Sequence, residues 1–216
     1  MGNIFKLAVR NLFRYKRRTM LTSMLITLGV VSVLLFISIS GSFKALMVGQ
    51  ITDSMLGHIQ IHKKGYLASI DSLPLNRNLT GKQVDQVIQV LDREEAVEAY
   101  SIRIKLGAMF SNFIETTNIR LNAVTPIDEL KTAPLLPGRI LKGEKAGLLK
   151  AGEILIPELI AKGMKINVGN GVVLVANNKD GSVNGQNFIV RGILEGISGP
   201  GGRDAMIHID DAKALL

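Results

Sequence analysis

Residues able to do chemistry are sparse in this chain, and their spacing is the first test of each. His58 and His62 flank an alternating segment, His58-Ile-Gln-Ile-His62. On an extended strand they share a face but stand about 13 Å apart, too far for one metal ion to take both. Gly138-Arg-Ile-Leu-Lys-Gly143 has the glycine separation of a phosphate-cradling loop. Glu144 and Lys145, however, stand where that chemistry needs a lysine and a hydroxyl. Gly169-Asn-Gly171 lacks the third glycine of a dinucleotide fingerprint and reads as a turn before a strand. The carboxylate pairs Glu94-Glu95 and Asp210-Asp211 are neighbours on predicted helices, where adjacent residues do not face each other. There is no cysteine, so thiol catalysis, thiolate metal sites and disulfides are excluded. No Ser-His-Asp pattern with a nucleophile elbow occurs. The expectation is a protein that is not an enzyme, with no catalytic residue, no metal site and no cofactor.

What remains to be explained is charge and hydropathy. The 216 residues carry 26 Lys+Arg against 18 Asp+Glu, a formal +8. Lys6, Arg10, Arg14, Lys16, Arg17 and Arg18 place six positive charges before residue 19, with no acidic residue among them. The rest of the chain is nearly balanced. Directly after the basic tail, Thr19 to Phe43 runs without one charge. As a helix it is about 37 Å long, enough to cross a hydrocarbon core of roughly 30 Å. The apolar stretch is longer than the core of a signal peptide, and its leader is long and heavily basic, so the reading is an uncleaved membrane helix. The positive-inside rule places residues 1–18 in the cytoplasm and the main domain outside it, in the periplasm or cell exterior. Phe13 and Tyr15 interleave with Arg14 and Lys16, but juxtamembrane basic residues anchor at lipid headgroups, so the expected partner is the bilayer and not nucleic acid. Within the helix, Leu21, Met24, Leu28, Val31 and Leu35 form an apolar stripe. Thr22, Gly29 and Ser40 lie roughly opposite, a candidate face for a partner helix because small residues let backbones approach.

The elements beyond follow from periodicity. Residues 44–56 read as a stalk helix, with Met47, Ile51 and Met55 recurring every fourth position, ended by Gly57. His58 to His62 alternates as a strand. Thr80 to Glu94 is a helix with Val84, Val87, Ile88 and Leu91 on one face, a Thr80/Gln83 capping box, and a sheet expected beneath it. Tyr100 to Leu106 and Asn118 to Ala123 read as an antiparallel hairpin, and Met109, Phe110, Phe113 and Ile114 between them as an apolar tip. Thr125-Pro126 starts a short helix. A second β-rich unit contains strands at 153–156, 172–176 and 188–194, a short helix at 157–162 and a turn around Asp180-Gly181. A Gly199-Pro-Gly-Gly202 loop leads to a strand at 205–209 and a helix start at Asp210.

Several stretches together resemble one family. LAVRNLFRYKRRTMLT at 7–22 resembles the opening segment of the MacB/LolE/FtsX-type ABC transporter permeases, and GHIQIH at 57–62 the strand after their stalk. PGRILKGEKAGLLKAGEILIPELIAKGMKINVGNGVVLV at 137–175, FIVRGIL at 188–194 and RDAMIHIDDAKALL at 203–216 resemble the remainder of their periplasmic core. The resemblance implies an α+β architecture: a cytoplasmic tail at 1–18, a membrane helix at 19–43 and a stalk at 44–56. A porter-like subdomain then covers 57–132, an inserted β-rich subdomain 133–202, and a return strand and helix start 203–216. Family permeases continue through three more membrane helices, so the sequence reads as a fragment or a truncated product. Where lipoprotein-releasing members carry a hook for a carrier, Asn177 to Asn187 is short and polar.

The function implied is that of a permease subunit in the bacterial cytoplasmic (inner) membrane. A separate cytoplasmic P-loop ATPase hydrolyses ATP, and the motion drives extraction or export of a lipoprotein or another amphiphile. The implied partners are that ATPase, a second permease copy or paralogue, the lipid bilayer, and a periplasmic carrier or adaptor protein. Met47, Ile51, Met55, Met109, Phe110 and Phe113 are candidate contacts for substrate or partner, with packing residues as the competing reading. Two other functional readings stand beside transport: a single-pass anchored binding or scaffold domain, and a secreted protein with its mature end near Gly41.

Overall fold

The computed structural model describes residues 6, 9–10, 13–178, 181–196 and 202–216. They form a mixed α+β chain that divides into two compact units, Met1–Val48 and Gly49–Leu216. In the first, the charge-free run is helical throughout, because Leu, Ile, Met and Val side chains tolerate a helix and no proline interrupts it. This helix, α1, spans Lys16–Ile51. With the turn that follows it makes a 41-residue helical run, Lys16–Leu56, with a stretch of mean hydropathy 2.4, long and apolar enough to cross a membrane. Its apolar side chains are exposed all round.

The expected stalk helix changes character before its end. α1 gives way to a π-helical turn, Thr52–Leu56, and Gly57 closes it at φ +71, a conformation that favours glycine. His58 to His62 does not join a sheet: Ile59 and Ile61 are exposed, and His62 stacks on Tyr66 at 4.9 Å between ring centroids. Alternation alone makes no strand without a neighbour to complete the ladder. Short 3₁₀ turns cover Leu67–Ser72 and Leu75–Arg77. The helix α2, Gly81–Leu91, starts at Thr80 with both arms of the capping box made. None of its residues is buried, so the sheet expected beneath it is absent among the described residues.

The second unit is a barrel. Its strands are β1 (Arg103–Ser111), β2 (Thr116–Val124), β3 (Ile140–Gly143), β4 (Glu153–Pro157), β5 (Gly171–Asn177), β6 (Val183–Leu194) and β7 (Asp204–His208). The sheet order is β3-β6-β4-β7-β2-β1-β5. β5 also pairs with β6, so six of these strands close into a ring, which removes exposed strand edges. The expected hairpin is present as β1 and β2, with Leu106 opposite Leu121 and Phe110 opposite Thr117. Inward residues alternate along the strands: Leu106, Ala108 and Phe110 on β1, Ile119, Leu121 and Ala123 on β2, Val172, Leu174 and Ala176 on β5. The short helices α4 (Glu158–Gly163) and α5 (Ile209–Leu215) add Ile160, Ala212 and Leu215 to this core.

A second, smaller core lies against the outside of the ring. Leu155, Leu194 and Met206 point away from the barrel interior and are covered by Ala133, Leu136, Leu148 and Leu149. β4 is therefore buried on both faces, which is why Ile-Leu-Ile in it does not alternate. The helix α3, Pro126–Thr132, leads into this cover with proline at its start, as expected. The backbones of β3 and β6 cross so closely that a Cβ on Gly192 would meet Lys142 O at 2.9 Å.

The boundary expected at 132/133 does not divide the molecule. β1 and β2 on one side of it and β4 to β7 on the other share one ring, because β2 pairs with β7 and β1 with β5. Asp180 of the expected turn and 199–201 of the expected glycine loop lie outside the described residues.

Candidate functional site

Local polar groups build the β1–β2 turn. Asn112 Oδ1 accepts from Ile114 N–H at 3.0 Å and Glu115 N–H at 2.7 Å, and its Nδ2 donates to Met164 O at 3.1 Å. Ser111 Oγ accepts from Phe113 N–H at 3.2 Å. Phe113 is held at φ +71, a conformation a bulky residue rarely adopts. The result is a fixed turn with two apolar side chains in the open, Phe113 at 72% and Ile114 at 89% exposure. Met109, on the outer face of β1, is half exposed and pairs with Val175 of β5.

Phe110 is corrected from a contact residue to a core residue. It belongs to β1, one position from Met109 and so on the opposite face, and it is fully buried in the barrel. The four nearby apolar residues do not form one tip, because the strand extends to Ser111 and its alternation separates them. Met47 and Ile51 on α1 are exposed, and Met55 in the π turn is partly buried beside the buried Ser54.

On the candidate helix face, spacings of seven and eighteen residues put Thr22, Gly29 and Ser40 on one side of α1. Nothing lies within 4 Å of a Cβ built on Gly29. Thr22 Oγ1 is within 3.0 Å of both Arg18 O and Thr19 O, so its hydroxyl is engaged by its own helix. What this face offers a partner is therefore close approach more than hydrogen bonding.

A charged cluster that sequence reasoning did not single out occupies the outer face of β1, β2 and β7. Arg103 makes a two-pronged ion pair with the buried Glu129 of α3, with Nη2 at 2.6 Å from Oε1 and Nε at 3.0 Å from Oε2. Ser101 Oγ donates to the same carboxylate at 2.7 Å. Arg120 approaches Asp204 more loosely, at 3.5 Å. Lys105 lies on the same face between the two arginines; burial first, then Arg103, lowers its pKa. Burial raises that of Asp204 against the pull of Arg120 and Lys105. Burial and then Lys105 push His62 down. Three cations against two carboxylates form a charge network on a sheet, with no nucleophile paired to a base. The signal was present in the alternation Arg103, Lys105 and Arg120, Asn122, which fixed the face; what packs on that face was not legible. Among the described residues no group of three or more His, Asp or Glu gathers as a metal site would.

A family model described as MacB-like periplasmic core domain matches residues 19–216. Among solved structures, the chain is similar to the extracellular domain of the noncanonic ABC-type transporter YknZ from Gram-positive bacteria, at 15% identity and a TM-score of 0.44. That match covers 60% of this chain and 64% of the other. It is also similar to a domain of a candidate permease protein from Porphyromonas gingivalis, at 16% identity and a TM-score of 0.39, covering 59% of this chain and 54% of that one. The chain thus spans less than two thirds of either relative. No curated protein matches it.

Proposed function

The chain belongs to the MacB-like periplasmic core domain family, and on that premise we propose that it is a permease-type subunit of an ABC transporter, anchored in the bacterial cytoplasmic membrane by α1. One observation carries the reading: a single family match takes in both the apolar helix and the whole barrel unit. The basic residues up to Arg18 face the cytoplasm and the barrel lies on the far side of the membrane, as charge bias at helix ends directs. A separate cytoplasmic P-loop ATPase supplies the hydrolysis, and a second permease copy or paralogue packs on the Thr22, Gly29 and Ser40 face. The cargo is a lipoprotein or another amphiphile, met by the exposed apolar turn at Phe113 and Ile114; a periplasmic carrier or adaptor receives it.

Photoreactive side chains at Phe113 and at Met55 test this during ATP-driven export in native membranes. Labelling of an amphiphile at Phe113 supports the cargo role. Labelling of another protein subunit alone reassigns that turn to assembly. Failure of the purified chain to retain any ATPase from those membranes sinks the transport reading and leaves an anchored scaffold.

A further inference from the structure

One buried cation in the barrel unit is poorly satisfied where it stands. Arg139 ends the 3₁₀ turn Leu136–Arg139 and is 5% exposed. Its Nη1 donates to Ser54 Oγ at 3.3 Å, and its Nε stands 3.6 Å from Glu195 Oε2, beyond hydrogen-bond reach, on a side chain that is 41% exposed. Nε and Nη2 make no hydrogen bond. A guanidinium has five donors, and burying it is unfavourable unless they are used. A methionine of similar length would suit packing alone better.

Its neighbours on the two sides belong to different elements. Ser54 is the buried residue of the π turn Thr52–Leu56, which directly follows α1. Leu135 N–H, four residues before Arg139, donates to Asp53 O at 3.0 Å. On the other side, Glu195 follows β6, and its N–H donates to Arg139 O at 2.8 Å. A π turn holds more residues per turn than an α-helix, so rewinding it changes the direction of each side chain by up to about 100° per residue of slip.

We propose that Arg139 is a two-sided latch, holding Ser54 in the π turn and Glu195 at the end of β6, so that rewinding of the turn withdraws Ser54 and releases the barrel strand. This deepens the transport reading and rests on it for the source of the motion. The loose, half-used guanidinium is what such a device needs, since a fully bonded one would hold a single state.

The test is amide hydrogen exchange on the full chain in lipid nanodiscs, comparing Ser54→Ala and Arg139→Gln with the unsubstituted protein. The expected result is exchange about tenfold faster at Leu135 and across 52–57 in both variants, and at the Glu195 amide in Arg139→Gln, with Leu121 and Ile154 in the ring unchanged. Unchanged exchange at 52–57 in both variants overturns the latch. Equal acceleration throughout the ring also overturns it, because Arg139 is then an ordinary packing residue. Ser54→Ala removes one oxygen and keeps the comparison available if Arg139→Gln does not fold. Reconstitution with the partner ATPase separates this from the transport reading. If no ATPase is retained, transport fails while the exchange result stands. If ATPase is retained and Ser54→Ala exports at the full rate despite faster exchange at 52–57, the latch has no part in transmission.

Discussion

The helix α1 and the barrel draw on the same residue types, Leu, Ile, Val and Met, but use them in opposite ways. Along α1 these side chains point in every direction and stay exposed among the described residues. In the ring they point to one side at every second position, and the ring itself supplies the interior. Equal hydrophobicity therefore leads to two different solvents, lipid for one region and the protein's own core for the other. Charge follows the same division. Six cations mark one end of α1, whereas the outer face of β1 and β2 sets Arg103 and Arg120 against Glu129 and Asp204.

The largest effect expected on this contrast is Phe110→Ala. Emptying a fully buried aromatic position in the ring should remove about 3–5 kcal/mol of stability, read by denaturant unfolding of the chain in detergent. A loss below 1 kcal/mol would mean that the interior is not packed as described. Next comes Leu28→Arg, exposed at the middle of α1. Membrane insertion should become less favourable by about 2.5–3.5 kcal/mol, measured by glycosylation-site mapping, while unfolding of the barrel is unaffected. Insertion at the original level would show that α1 is not lipid-facing.

Lys105→Met probes the charged face and should stabilise the barrel at neutral pH. Burial lowers the lysine pKa in the folded state, so the folded protein disfavours the charged form. That penalty is full below the folded-state value and fades as pH rises through it toward the ordinary lysine value near 10.5. A rise in melting temperature of roughly 2–4 °C is expected at neutral pH, shrinking as the solution becomes strongly alkaline. In the same variant the His62 titration, followed by NMR, should move up toward its ordinary value. No change at His62 would separate the two groups.

The smallest effect is expected three residues from the largest. Phe113→Gly removes an exposed ring and relieves a positive φ, so stability should hold or rise by up to about 1 kcal/mol. A loss above that would place Phe113 in a packing contact, and together with Phe110→Ala it decides how sharply the strand divides core from surface.

Local patterns are legible in the sequence because their physical causes lie within a few residues. The Thr80 and Gln83 capping box, the proline-led helix at 126, the hairpin of β1 and β2, and the stop at Gly57 all depend on near neighbours. His58 to His62 alternates without forming a strand, because alternation makes a strand only when another strand lies beside it. The amphipathic face of α2 was legible, but its burial was not, since that depends on what the rest of the chain places against it. Phe110 was misjudged by the length of one strand, and Arg139 was unremarkable in sequence because Ser54 lies 85 positions away.

By itself the sequence determined that one charge-free helix follows a basic tail, that the remainder is α+β with nearly balanced charge, and that cysteine chemistry is excluded. Composition and short-range periodicity decide those properties. Only the tertiary structure decided that β1 and β5 meet, that six strands close into one ring across the expected boundary, and that a buried arginine joins the π turn to the end of β6. Those facts follow from pairings between distant segments, whose free energy depends on shape and register and not on the identity of any one residue.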